Sequence, residues 1–183
     1  AMASEKGKIG AIGSNQVASI VAWTQGVVDG AKYINPNAAV ISAFTGSYDD
    51  QVKAKQCVDS LADQGCDVIT QNADACGKGA VQECDALGLK NVGTVSDETK
   101  EGQSCFLSVI QDSREGVALA VGDALQGRLE SGFVDMGPVE NVTRYSDFSG
   151  TYQDLLTQDQ KDTLNGLLDQ LHARVDLSAL SNG

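Results

Sequence analysis

Between residues 8 and 171, short apolar runs alternate with longer stretches in which apolar positions return every three or four residues. Lys8-Ile9-Gly10-Ala11-Ile12-Gly13 predicts a short buried strand that ends in a glycine turn. From Val17 the positions Ile20, Val21, Val27, Val28, Ala31 and Ile34 fall at helical spacing, and Pro36 stops the pattern. Ala38 to Phe44 is short, apolar and branched, which predicts an interior strand covered on both faces.

The next unit opens at Gly46-Ser47-Tyr48-Asp49-Asp50, where Ser47 can cap a helix with Asp50 three residues later. Ala54, Cys57, Val58, Leu61 and Ala62 form its inward stripe, and Gly65 ends it. Asp67 to Gln71 predicts a third strand, followed by a polar loop through Asn72, Asp74 and Gly77 and a helix burying Ala80, Val81, Cys84 and Leu87. Asn91 to Val95 and Ser104 to Ile110 predict the fourth and fifth strands. A helix beginning near Asp112, with Glu115 at the reciprocal capping distance, carries Val117, Ala118, Val121, Ala124 and Leu125. Val139 to Val142 predicts an edge strand, and Thr157 with Gln160 caps a last amphipathic helix through Leu164, Leu167, Leu168 and Leu171.

Strands alternating with helices imply right-handed crossovers and a largely parallel sheet, hence a three-layer α/β (αβα) fold. At 183 residues no second domain is needed. The expected organisation is a loose start over residues 1–6, one ligand-binding-type α/β domain over 7–176 and a flexible tail over 177–183. Ala1-Met2-Ala3-Ser4 reads as a remnant of expression cloning ahead of the mature segment.

The formal charge of -12 opposes a polyanion, and no basic patch counters it, so a nucleic-acid partner is not expected. No apolar run reaches the roughly 18 residues that would span a membrane. Cys57, Cys66, Cys76, Cys84 and Cys105 lack the spacing of a redox pair or a zinc knuckle, and His172 is the only histidine, so no metal or cofactor is expected. Two readings of the cysteines stay open: small helix-face hydrophobes, as at Cys57 and Cys84, or disulfides with one cysteine left over. Asn141-Val142-Thr143 matches a glycosylation acceptor, relevant only to a eukaryotic secretory protein.

A parallel sheet gathers its strand-to-helix loops along one edge. Those loops carry Ser14, Asn15 and Gln16; Ser47, Tyr48, Asp49 and Asp50; Asn72, Asp74, Cys76 and Gly77; and Ser96, Asp97 and Glu98. Gln111 follows the fifth strand toward the same rim. Tyr48 offers a flat face and a hydroxyl, Asn15 and Asn72 both donate and accept, and Asp74 and Asp97 accept from sugar hydroxyls or ring nitrogens. The plainer roles are capping for Ser47 and Asp50, turn-fixing for Asp97, and packing against its own helix for Tyr48. Catalysis has less support: no histidine lies near a serine, and no glycine-rich phosphate motif is present. Cys76 at a helix start is the one candidate thiol, with an inert cysteine or a disulfide as its alternative.

The pieces Gly7 to Gly10, Gly26 to Ala31 with Asn35-Pro36, Gly46 to Asp50, Gly65 to Gln71, Gly93 to Asp97 and Ser108 to Ile110 stand in an order that resembles the second half of the BMP/PnrA-like basic membrane lipoproteins. These are substrate-binding proteins of ABC transporters, in which two α/β lobes close on a ligand, often a purine nucleoside. The resemblance covers residues 7–130, with a weaker match to 172, and implies one lobe of a periplasmic-binding-protein-like fold. It puts Tyr48 at the place of a base-stacking aromatic, Asp74 at a polar contact after the third strand, and Asp97 at the second aspartate of a Gly-x-Asp-x-Asp pattern. Val95 replaces the first aspartate of that pattern and Gln111 a common ligand-contacting lysine.

The resulting expectation is a non-enzymatic ligand-binding lobe for a nucleoside or similar small polar molecule, using Asn15, Tyr48, Asn72, Asp74, Asp97 and Gln111. Its implied partners are a first lobe, a transporter permease or a second copy. Its implied location is extracellular or periplasmic, with membrane anchoring in the full-length protein. The alternative is a protein-interaction or receptor sensor domain that has lost small-molecule binding.

Overall fold

The structure, a computed structural model, describes residues 1–172 apart from Phe133 and Asp135. The expected boundary at 176, the tail 177–183 and the side chain of His172 lie outside the described residues. The elements are β1 (Lys8–Gly13), α1 (Ala18–Ile34), β2 (Ala39–Phe44), α2 (Gln51–Asp63), β3 (Val68–Asn72), a 3-10 turn (Asp74–Cys76), α3 (Gly77–Leu87), β4 (Lys90–Val95), β5 (Cys105–Gln111), α4 (Ser113–Leu125), β6 (Thr143–Tyr145) and α5 (Gln158–His172).

One six-stranded sheet has the order β2-β1-β3-β4-β5-β6. The first five strands are parallel and β6 runs antiparallel to β5. Apolar side chains from alternate strand positions feed two cores, as a sheet covered on both faces requires. On one face Ile12 and Ile69 pack with Ala54, Val58 and Leu61 of α2 and with Ala80 and Cys84 of α3. On the other, Ile9, Val68, Phe106 and Leu107 pack with Ala31 of α1 and Leu164 of α5. The molecule is therefore the three-layer α/β fold expected of one lobe of a periplasmic-binding-protein-like protein. Close approach of α3 to α2 depends on Gly79, where an added Cβ would stand 2.3 Å from the Gln51 carbonyl oxygen.

The structure differs from the sequence reading in six places. β2, expected to be an interior strand covered on both faces, is an edge strand with none of its residues buried, because β3 takes the other side of β1 and no strand follows beyond β2 among the described residues. Leu87, expected on the buried side of α3, is the last residue of that helix and 47% exposed, ahead of the turn at Gly88. Residues 1–6 are tied down rather than loose: Ser4 Oγ donates to Asp67 Oδ1 at 2.5 Å, and the Glu5 and Lys6 N–H groups donate to Oδ2 at 2.7 and 3.2 Å. The edge strand lies at 143–145 instead of 139–142, because Pro138 has no N–H to pair and Asn141 turns the chain at φ +58°. Asp50, not Ser47, is the N-cap of α2; Ser47 Oγ accepts from the Asp50 N–H one step earlier. Finally, α4 buries none of its residues, and Val117, Val121 and Leu125 face solvent.

All five cysteines are free thiols. Burial pushes Cys84 up to about 12 and Cys105 up to about 11, so neither is a thiolate near neutral pH. Cys84 packs in the core and Cys57 against its edge, in line with the helix-face reading of both.

Candidate functional site

Because β1 to β5 are parallel, the loops that follow them leave from one edge of the sheet. From β1 the chain crosses to β2 on one side, whereas from β3 it crosses to β4 on the other. The loops after β1 and β3 therefore diverge, which is where open α/β sheets form a crevice. Backbone bonds hold this edge together: the Ser14 N–H donates to the Asn72 carbonyl at 3.1 Å and the Gly46 N–H to the Ser14 carbonyl at 2.8 Å. Ser14 itself is fully buried, and its hydroxyl has no partner among the described residues.

A cavity of about 180 Å³ opens between the loops after β3 and β4, lined by Gln71, Asn72, Asp74, Thr94, Ser96 and Glu98 among others. Two of its lining residues hold left-handed backbone without being glycine, Asp74 at φ +51° and Val95 at φ +69°. Such conformations persist only where surrounding contacts enforce them, and they cluster at binding sites. Asp74 starts the 3-10 turn that leads into α3. Thr94 Oγ1 donates to the Gln71 carbonyl across the floor, joining the two loops.

Glu98 is the group that the loop chemistry alone does not single out. Gln71 Nε2 donates to its Oε2 at 2.6 Å and the Thr94 N–H to the same oxygen at 3.4 Å. Its own N–H donates to Ser108 Oγ at 3.0 Å. Burial pushes its carboxyl up to about 7, against the hydrogen bonds from Gln71 and Thr94 that favour the charge. The signal for it was the glycine at 93: a Cβ there would stand 2.7 Å from Glu98 Oε2, so only glycine leaves room for the inward carboxylate.

Of the expected site residues, Asn72 and Asp74 line this cavity. Asn15 is half-buried after β1, on the other side of the divergence. Tyr48 stands after β2 with 53% of its surface exposed, so its ring is available rather than packed. Asp97 is exposed and fixes its own turn, accepting from the Thr99 hydroxyl at 2.6 Å and the Thr99 N–H at 3.1 Å, and the hydroxyl bond foremost holds its carboxyl below the ordinary range. Gln111 ends β5 beside edge strand β6, exposed. Cys76 is fully buried, its thiol donating to the Ser47 carbonyl at 3.4 Å, a poor position for a nucleophile.

A larger hollow of about 720 Å³ lies elsewhere, between the sheet and helices α1 and α5, with mainly apolar walls that include Trp23, Val27, Phe106 and Leu168. Among the described residues no group of histidine, cysteine or carboxylate side chains is arranged to hold a metal ion, and no helix is long and apolar enough to cross a membrane.

The chain is similar to known proteins over most of its length. It is 28% identical over 156 residues to the transcriptional activator protein Med of Bacillus subtilis, covering 80% of this chain and 47% of that protein. A purine-binding protein of Brucella abortus is 33% identical over 109 residues, 60% of this chain and 31% of its own length. The chain thus spans about half or less of the curated relatives it matches. Among solved structures, a transcriptional activator of the comK gene from Bacillus halodurans superposes with a TM-score of 0.79 at 23% identity, over 92% of this chain and 59% of that one. A family profile described as Bmp, ABC transporter substrate-binding protein PnrA-like, matches residues 1–165, and the chain belongs to that family.

Proposed function

We propose that this chain is a non-enzymatic ligand-binding lobe that takes a nucleoside or a similar small polar molecule at the carboxyl edge of its sheet. The observation that carries the reading is the polar cavity between the β3 and β4 loops, framed by two strained non-glycine residues. Asn72 and Asp74 supply directional hydrogen bonds, and the exposed Tyr48 ring, on the loop after β2 two strands from β3, supplies a face for a base that reaches beyond the cavity. Asn15, Asp97 and Gln111 belong to the outer rim in this reading. The similarity to a purine-binding relative supports the ligand class.

At about 180 Å³ the cavity is smaller than the roughly 300–1,000 Å³ of an enclosed small-molecule site. A facing surface, from a longer version of the protein or from a second copy, would complete the enclosure. Delivery to an ABC transporter permease outside the cytoplasm, with membrane anchoring in the full-length protein, follows from the same reading.

Calorimetric titration with adenosine, inosine and guanosine tests it. Tyr48→Ala is expected to weaken binding roughly 5- to 100-fold, the usual worth of one base stacked on an aromatic ring. Unchanged affinity in that variant removes the proposed site.

A second reading is favoured by one specific feature, the apolar residues that α4 leaves in solvent. It makes the domain a protein-interaction or sensor module that has kept the fold without the ligand, and the similarity to a transcriptional activator fits it. Absence of nucleoside binding together with association through α4 would decide for this alternative.

A further inference from the structure

The cavity contains a carboxyl group whose two oxygens are differently employed. Glu98 Oε2 accepts from both Gln71 Nε2 and the Thr94 N–H, while no hydrogen bond engages Oε1 among the described residues. Gln71 in turn accepts the Ala73 N–H on its Oε1 at 3.0 Å, so the chain of bonds runs from the loop after β4 through Glu98 and Gln71 to the loop after β3. The Glu98 side chain therefore links the two walls of the cavity, beside the bond from the Thr94 hydroxyl to the Gln71 carbonyl. A proton added at Oε1 leaves those bonds in place, because Oε2 remains an acceptor, and gives the cavity a donor.

We propose, building on the binding reading above, that Glu98 acts at this rim as a neutral acid whose Oε1–H selects ligands presenting a hydrogen-bond acceptor, such as a ring nitrogen or carbonyl, and that losing the proton releases them. The charged groups around it are few. Lys78 on α3 and Glu101 in the following loop pair with each other at 3.3 Å, and they act on Glu98 with opposite signs. Cys105 of β5 stays a neutral thiol, and Asp74 and Asp97 stand on the flanking loops. Desolvation is the foremost cause holding the proton on Glu98, and a ligand covering the cavity extends that desolvation. Binding is therefore accompanied by proton uptake, and affinity falls as pH rises.

The test is titration calorimetry with adenosine at pH 6 and pH 8, in two buffers of different ionisation enthalpy. For a group that titrates near 7, affinity is expected to drop about tenfold between those pH values, with a fraction of a proton taken up per adenosine bound. Glu98→Gln keeps an acceptor for Gln71 and Thr94 and a permanent N–H donor, so its affinity is expected to match the pH 6 value of the wild type and to stay flat. Equal wild-type affinity at both pH values, or the same slope in Glu98→Gln, overturns the proposal. If no nucleoside binds at any pH, the nucleoside reading fails, and the ligand-free protein decides the fate of Glu98. Its carboxyl carbon, identified by its loss in Glu98→Gln, is expected to titrate by carbon NMR near pH 7 with the Gln71 and Ala73 amides moving in step. A midpoint near 4.5 would sink the proposal.

Discussion

At the scale of single residues, Val95 shows how strain marks the site. A β-branched residue at φ +69° is disfavoured by roughly 1–2 kcal/mol, and with 46% of its surface exposed Val95 regains little of that by packing. Asparagine tolerates the left-handed region, so Val95→Asn is expected to stabilise the domain by about 1 kcal/mol, read as a higher urea midpoint at unchanged slope. Other residues were legible from their type and position alone. Asp97 fixes a turn, the plainer of the two roles that sequence allowed it, because an aspartate two residues before a threonine can bond locally whatever the rest of the chain does. Glu98 was not legible as a site residue. Gly93 and Thr94 lie within five residues of it, but the partners that fix its side chain and its backbone N–H, Gln71 and Ser108, come from β3 and β5, and no short window of sequence contains those.

At the scale of elements, strands and helices with local signals fell where the pattern put them. Thr157 and Gln160 form the reciprocal cap of α5: the Gln160 N–H donates to Thr157 Oγ1 at 3.3 Å and the Thr157 N–H to Gln160 Oε1 at 2.9 Å. The amino-terminal strap was missed because its anchor, Asp67, lies more than sixty residues away. Burial pushes the Asp67 carboxyl up, but the Ser4 hydroxyl, the Glu5 and Lys6 N–H groups and the Lys90 charge outweigh it and hold it below the ordinary range. A carboxylate with a lowered folded value stabilises the fold above its unfolded value near 4, and that contribution is lost as pH falls through the folded value. Asp67→Asn is accordingly expected to cost about 2 kcal/mol at pH 7 and to flatten the acid limb of the stability curve below about pH 4, measured by denaturant unfolding across pH.

At the scale of the whole molecule, α4 is the element whose pattern and surroundings disagree. Its apolar positions are spaced for burial, yet Val117 and Leu125 are 63% and 84% exposed. Apolar side chains grouped in solvent favour association. Leu125→Lys is expected to leave stability within about 0.5 kcal/mol while lowering concentration-dependent self-association in analytical ultracentrifugation. Unchanged association would show that α4 is not the adhesive face.

Periodicity and glycine placement along the chain determined the alternation of strands and helices, because it depends on interactions a few residues long, and the parallel character of the sheet and the edge on which its loops collect follow from that alternation through right-handed crossovers. Tertiary structure alone decided which polar side chains from that edge share a cavity, how deeply Glu98 is desolvated, that the amino terminus is strapped to Asp67, and that α4 stays uncovered. Each of those outcomes is set by groups brought together from distant segments, and a burial or a proton affinity has no value until the neighbours that create it are in place.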